Sequence, residues 1–121
     1  MADYPAGITH RKRISGISHW RWQRYSAVVV FVLMTYFVVM LASLGGLDYM
    51  DATLFVSAPV NAVALTVLVL VGLWHAMLGV QTVIEDYVSV SGGRHAVLNA
   101  VRLLIGGVGL AMLWAMTRIV L

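Results

Sequence analysis

Three long apolar stretches dominate this sequence of 121 residues. A helix needs about 20 consecutive apolar residues to cross the roughly 30 Å hydrocarbon core of a bilayer, and each stretch is that long. Backbone polar groups find no water at that depth, so stretches of this kind must form helices or a closed barrel. The sequence therefore predicts an all-α membrane protein with three transmembrane helices.

The predicted spans cover residues 25–47, 60–84 and 98–120. No charge occurs in the first two, and the third is bracketed by Arg102 and Arg118, whose long side chains can bend back to the interface. Residues 1–24 are expected to form a polar, basic N-terminal arm, and residues 25–121 the three-span membrane domain.

The connections between the spans contain turn-forming residues. A short polar connection is predicted around Gly45, Gly46, Asp48 and Asp51. Pro59 is expected in a loop or in the first helical turn, where proline is tolerated. The segment VSVSGGRH, residues 88–95, is predicted to be the second connecting loop.

Composition excludes several classes of protein. Hydrophobic residues make up 61% of the chain and charged residues 11%, which rules out a water-soluble globule. Without cysteine there are no disulfides, thiolate nucleophiles or thiolate metal sites, so a metal would have to be held by one of four histidines. The basic residues cluster directly before a span, where they indicate membrane orientation and not nucleic acid binding.

The basic residues also predict the topology. Seven of the eight lie in the arm or around the second loop, and Arg118 alone lies on the other side. The positive-inside rule therefore places the N-terminus and the Arg94 loop in the cytoplasm, with Asp48 and the C-terminus opposite. The first span follows the arm too closely for a mitochondrial transit peptide to fit well, which favours a multi-pass protein of the bacterial inner membrane.

His75 is the most informative residue of the second span, which also carries Asn61, Thr66 and Gln81. It lies about 13 Å inside the Ile84 end, near the middle of the bilayer. An ionisable group is costly there, so His75 is a packing histidine bonded to neighbouring helices, a metal or haem ligand, or a proton relay.

The glycines near His75 have two interpretations. Gly72 and Gly79 lie three residues before and four after it, on the same helical face. They leave a notch in which a flat macrocycle could lie, or they merely let another helix approach closely.

Two polar residues lie at the end of this helix face. Asp86 follows His75 by eleven residues, or three turns and about 20°, at a distance of about 16 Å along the axis. Tyr87 comes next. Both are candidates for a polar site at the membrane surface, but taken alone Asp86 could be an interfacial charge and Tyr87 a member of the aromatic belt.

Two motifs resemble those of a known family. His75, Ala76, Gly79, Asp86, Tyr87 and Val88 form HAxxGxxxxxxDYV, and the first span is entered through His19, Trp20, Gln23, Arg24, Ser26 and Ala27. In these motifs, in length and in number of spans, the chain resembles the small hydrophobic membrane anchor of succinate dehydrogenase, or respiratory complex II.

That resemblance implies a two-chain helical anchor bundle in a heterotetramer. By the same resemblance, this anchor and a second membrane anchor are expected to hold haem b and to form the quinone site. FAD and the iron–sulfur clusters are expected only in a flavoprotein and an iron–sulfur subunit, so this chain is not expected to be catalytic alone.

The resemblance also implies roles for individual residues. His75 corresponds to an axial haem ligand, Tyr87 to the tyrosine that hydrogen-bonds the quinone (ubiquinone or menaquinone), and Asp86 to the carboxylate supporting that site. Arg24 matches an arginine near the haem propionates, although positive-inside anchoring also explains it.

Three alternatives remain at this point. The anchor of a quinol:fumarate reductase performs the reverse reaction with the same groups. A small membrane transporter would more naturally carry a carboxylate within a span, and all five acidic residues lie outside the spans. A purely structural membrane protein would leave His75 unexplained.

Overall fold

The computed structural model describes residues 9–46 and 48–120, without the side chains of residues 9–15 and 91. Residues 1–8 of the predicted arm, Leu47 at the predicted end of span one and Leu121 lie outside this part of the chain. The described residues form four α-helices and one turn of 3₁₀-helix: α1 (Thr9–Ser43), α2 (Tyr49–Ser57), α3 (Pro59–Tyr87), the 3₁₀ turn (Val90–Gly92) and α4 (Arg94–Val120).

Three of these helices are long and apolar enough to cross a membrane. The qualifying segments are Gly16–Ser43, Pro59–Tyr87 and Arg94–Val120, which confirms the prediction of an all-α protein with three spans. Only 11% of the most apolar window of each segment is buried against the rest of the chain. Most of the apolar surface is therefore left for lipid or for other polypeptides.

The first helix begins earlier and ends earlier than the predicted span. It starts at Thr9, so part of the basic arm continues directly into the membrane helix. It ends at Ser43 because Gly45 and Gly46 adopt positive φ angles of 69° and 156°, conformations that favour glycine and are incompatible with a continuing helix.

The first connection contains a helix that the sequence did not predict. Asp48 is extended, and α2 then runs from Tyr49 to Ser57, so Asp51 belongs to a helical turn and not to a loop. Pro59 lies in the first turn of α3. Of the two positions predicted for it, a loop or a first helical turn, the second is confirmed.

The second connection is shorter than predicted. The left-handed conformation of Gly93, with φ of 79°, ends it, and α4 begins at Arg94. Arg94 and His95 are therefore helical, whereas the sequence placed them in the loop.

Helix α3 lies at the centre of the bundle. It packs against α1, α2 and α4, and α2 also contacts α4. Three side-chain contacts join α1 to α3, and the later a residue comes in α1, the earlier its partner comes in α3. The two helices are therefore antiparallel. On the α4 side, a Cβ on Gly109 would come within 2.9 Å of Leu73 Cδ1, which shows how closely α3 and α4 approach.

A small buried core lies between these helices, and one polar residue joins three of them. The buried apolar side chains are Phe37, Ala62, Leu78, Ile84, Leu98 and Met116. Asn61 is also buried, and its Oδ1 accepts a hydrogen bond of 2.7 Å from the Tyr36 hydroxyl on α1. Its Nδ2 donates at 2.8 Å to the carbonyl of Phe55 on α2.

Because Asn61 satisfies partners on two other helices, we expect Asn61→Ala to reduce stability by about 1 to 2 kcal/mol. Thermal denaturation of the detergent-solubilised protein measures the effect. Asn99→Ala is the matched control, since Asn99 is exposed on α4 and its side chain makes no hydrogen bond within the described chain. Equal melting temperatures for the two variants would contradict this role of Asn61.

Candidate functional site

His75 lies in the middle of α3 and faces α1. Its imidazole is half-buried, and Nδ1 lies 2.9 Å from the hydroxyl oxygen of Ser26. Ser26 itself is buried, with 5% of its surface exposed. Two residues separated by 49 positions in the chain therefore form a polar contact at the centre of an apolar helix pair.

The other contacts of Ser26 indicate which group donates. The Ser26 hydroxyl lies 2.7 Å from the carbonyl oxygen of Trp22 and 3.2 Å from that of Gln23, one turn earlier on α1. A hydroxyl has one hydrogen, and a carbonyl can only accept. With that hydrogen donated to Trp22, the Ser26 oxygen accepts from His75 Nδ1–H, and the lone pair of His75 is then on Nε2, which has no hydrogen-bond partner within residues 9–46 and 48–120.

The two glycines near His75 have different surroundings. A Cβ on Gly79 would lie 3.5 Å from Nε2 of Gln23, so a side chain of α1 already covers this position. A Cβ on Gly72 would meet nothing within 4 Å. Of the two predicted notches, the one at Gly79 is therefore filled by the neighbouring helix, and the one at Gly72, one turn from His75, is open space.

Two further side-chain hydrogen bonds join α1 to α3 on either side of this contact. Nε2 of His19 lies 3.2 Å from the Thr82 hydroxyl, toward the second-loop end of α3. The Tyr36 to Asn61 bond lies toward the other end. The position of α1 along α3 is therefore fixed at three levels, and His75 occupies the middle one.

Asp86 and Tyr87 form the last two residues of α3. Both are exposed, and 85% of the Tyr87 side chain is accessible. Neither forms a side-chain hydrogen bond or an ion pair in the described part of the chain. Their polar groups are therefore open to a ligand or to another polypeptide.

Arg94 fastens the loop that follows Tyr87. Its Nε donates to the carbonyl of Val88 at 2.7 Å, and a terminal guanidinium nitrogen donates to the carbonyl of Glu85 at 2.9 Å. Glu85 lies in the last turn of α3 and Val88 directly follows the helix, where backbone acceptors lack helical partners and positive charge is favourable. The sequence indicated Arg94 only as a topology marker, because the folding back of the loop is not visible in a local pattern.

Arg24 is not connected to His75 by any contact within the described chain. It lies about 200° around α1 from Ser26 and is exposed. Its guanidinium carbon lies 5.2 Å from the centre of the Trp20 ring, a cation–π arrangement one turn apart. The side chain therefore points away from α3.

The other polar residues of α3 have local partners. Thr66 donates to the carbonyl of Ala62 at 2.8 Å, and Gln81 Nε2 donates to the Glu85 carboxylate at 2.7 Å. In the part of the chain that the structure describes, no three histidine or acidic side chains gather into a metal-binding group.

Comparisons with known proteins agree with this architecture. A family model described as "Succinate dehydrogenase/Fumarate reductase transmembrane subunit" matches residues 7–111. Proteins named "Succinate dehydrogenase hydrophobic membrane anchor subunit" from Rickettsia bellii and Rickettsia felis are each 33% identical to this chain, over 105 and 101 residues. The alignments cover 84% of this chain in both cases, and 84% and 83% of the relatives. No solved structure matches the chain with statistical significance.

The chain belongs to the family of succinate dehydrogenase and fumarate reductase transmembrane subunits, as a hydrophobic membrane anchor. This confirms the resemblance drawn from the two sequence motifs. It also makes the chain a multi-pass membrane protein that associates with other subunits of such a complex.

Proposed function

We propose that this anchor binds haem b through His75 and forms part of the site at which electrons from succinate reduce a quinone. The observation that carries the proposal is the Ser26 to His75 hydrogen bond, which leaves Nε2 as the free ring nitrogen of the one histidine at mid-membrane depth. Imidazole with a fixed Nδ1–H and a free Nε2 is a good ligand for haem iron.

The residues around His75 fit a flat macrocycle on one side. Gly72, one turn from His75, offers open space where any other residue would place a side chain. Bound haem b would supply a one-electron carrier between the water-soluble subunits and the membrane site. A second ligand to the iron would come from another chain, because His19 lies about 10 Å further along the bundle, at the level of Thr82.

The end of α3 is suited to a quinone. Reduction of a quinone consumes two electrons and two protons, so its carbonyl oxygens need hydrogen-bond donors at a place that protons can reach. Tyr87 supplies an exposed phenol, and the adjacent Asp86 carboxylate supports the site as an acceptor and charge partner. Arg94 holds the loop beside them through the carbonyls of Glu85 and Val88.

Arg24 is proposed to pair with a haem propionate. It is exposed and faces away from α3, so a propionate paired with it would lie on the outer surface of α1, between this chain and a neighbour. Its long side chain and permanent charge suit a carboxylate at the membrane edge.

The proposed partners rest on the small buried core and on the family to which the chain belongs. A second membrane anchor completes a two-chain helical bundle and covers apolar surface of this chain. An iron–sulfur subunit and a flavoprotein containing FAD carry out succinate oxidation, so that this chain contributes binding groups and no dehydrogenase chemistry of its own.

The proposed direction of electron flow rests on the names of the relatives, which are succinate dehydrogenase subunits. The anchor of a quinol:fumarate reductase is the second candidate, because the family description covers both enzymes. The two directions use the same binding groups. The proposed quinone is ubiquinone or menaquinone.

We also propose that the protein lies in a bacterial inner membrane with its N-terminus in the cytoplasm. Arg21 and Arg24 on α1 and Arg94 at the second loop share one end of the bundle, and Arg118 lies at the other. This distribution follows the positive-inside rule.

Single cysteines at Val90 and Asp48 test the orientation in a chain that has no cysteine of its own. A membrane-impermeant maleimide added to intact cells should label Asp48→Cys and leave Val90→Cys unlabelled until the membrane is opened. Labelling of both from outside would contradict the three-span topology.

His75→Ala tests the haem proposal. Loss of the ligand should abolish the bis-histidine low-spin haem spectrum of the purified complex, because no other histidine of the described chain lies at this depth. His95→Ala is the matched control, since His95 is exposed at the membrane edge and should leave the spectrum unchanged. An unaltered bis-histidine spectrum in His75→Ala would falsify the assignment.

Tyr87→Phe tests the quinone site. Loss of one neutral hydrogen bond should reduce quinone turnover by about two- to tenfold, and by more if the phenol also transfers a proton. Electron transfer from succinate to a soluble artificial acceptor should be retained. Tyr49→Phe removes a hydroxyl of similar exposure, 82%, at the opposite end of the bundle and serves as the control. Normal quinone kinetics in both variants would place the site elsewhere.

A further inference from the structure

We infer that Ser26 is a positioning residue for the haem: its hydroxyl accepts the Nδ1–H bond of His75 and thereby sets the ring orientation, the tautomer and the electron-donating strength of the axial ligand. The inference rests on the proposed function, because it assigns Ser26 a role toward the group that His75 is proposed to bind. It concerns a residue that makes no direct contact with the iron.

The geometry supports an accepting role for Ser26. The distance from Ser26 Oγ to the Trp22 carbonyl oxygen, 2.7 Å, is the shortest of the three contacts of this hydroxyl. The Gln23 carbonyl at 3.2 Å lies on the same side, one residue further along α1. The single hydroxyl hydrogen is therefore directed into α1, and a lone pair remains for His75 Nδ1–H at 2.9 Å.

The apolar surroundings let this bond favour one orientation of the His75 ring. Ser26 is 5% exposed and faces an apolar part of the bundle, where water does not compete for Nδ1–H. A ring turned by 180° would place a carbon beside the Ser26 oxygen and leave both the hydroxyl and the ring nitrogen without this partner. The bond therefore favours the orientation in which Nε2 points away from α1.

The bond also affects the chemistry of the ligand. A hydrogen bond accepted from the distal N–H of a metal-bound imidazole increases the basicity of the ligating nitrogen. Donation from Ser26 to the Trp22 carbonyl polarises the hydroxyl and strengthens its oxygen as an acceptor. A more basic ligand stabilises the oxidised iron relative to the reduced iron, so Ser26 should lower the haem reduction potential.

Two other contacts, one before Ser26 along α1 and one after it, hold α1 against α3. The His19 to Thr82 contact and the Tyr36 to Asn61 bond fix α1 on α3 at two other levels. Removal of one hydroxyl at the middle level should therefore leave the helix pair assembled. This makes a substitution at Ser26 a test of the ligand, and not of the fold.

The test is a redox titration of haem in the purified complex carrying Ser26→Ala. At a fixed ambient potential, the ratio of reduced to oxidised haem should rise by about two- to tenfold, the range that one neutral hydrogen bond supports. A tenfold change corresponds to a rise of about 59 mV for a one-electron couple. Ser26→Thr retains the hydroxyl and should restore the ratio toward that of the unsubstituted protein.

Ser43→Ala is the matched control on the same helix. The Ser43 hydroxyl donates to the Met40 carbonyl at 2.7 Å, as Ser26 does to Trp22, but Ser43 is exposed and has no side-chain partner in the described chain. Its loss should leave the haem potential unchanged. Ser26→Cys provides a second test, in which the side chain keeps a similar volume. A thiol is a weak acceptor, so this variant should raise the haem potential as alanine does.

The outcomes separate this inference from the proposed function. A raised potential in Ser26→Ala or Ser26→Cys with recovery in Ser26→Thr supports it, as does loss of haem from the first two with retention in the third. An unchanged potential in Ser26→Ala, or haem loss in all three variants, overturns it. If His75→Ala abolishes the low-spin spectrum while Ser26→Ala matches the unsubstituted protein, haem ligation stands and the positioning role alone is wrong.

Discussion

The hydrogen bond between Ser26 and His75 is the interaction on which the functional interpretation depends. It lies between two antiparallel helices, where Ser26 is buried and its other hydrogen-bond contacts are backbone carbonyls of its own helix. It holds α1 against α3 at the middle of the bundle and turns one nitrogen of the imidazole outward. A helix pair with apolar residues at both positions could pack equally well, but it would present no ligand.

The remainder of the structure is an incomplete bundle, which is what a membrane anchor requires. Helix α3 is central, yet only 11% of the most apolar part of each span is buried within the chain. The imidazole nitrogen without a partner, the open space at Gly72 and the exposed side chains at the end of α3 are available to groups from outside this chain. Since His75 and Asp86 lie about 16 Å apart along one helix, a single element joins the proposed haem ligand to the proposed quinone site.

The number of spans, the helical class and the position of His75 at depth could be predicted from the sequence, because they follow from apolar length and from the cost of a polar group in the membrane. The contact of Ser26 with His75 could not, since it depends on the relative rotation of two helices whose residues lie 49 positions apart. Helix α2 was missed because its residues merge with the apolar stretch that follows. The role of Arg94 was missed for a related reason: its acceptors are backbone carbonyls, which every residue carries.

A high-resolution cryo-electron microscopy map of the purified complex in lipid nanodiscs would decide whether His75 ligates a haem. We predict density for a haem whose iron is ligated by Nε2 of His75 and by a histidine of a second membrane anchor, with Ser26 Oγ within hydrogen-bonding distance of Nδ1. Ligation through Nδ1, or a macrocycle held entirely by other chains, would contradict this arrangement.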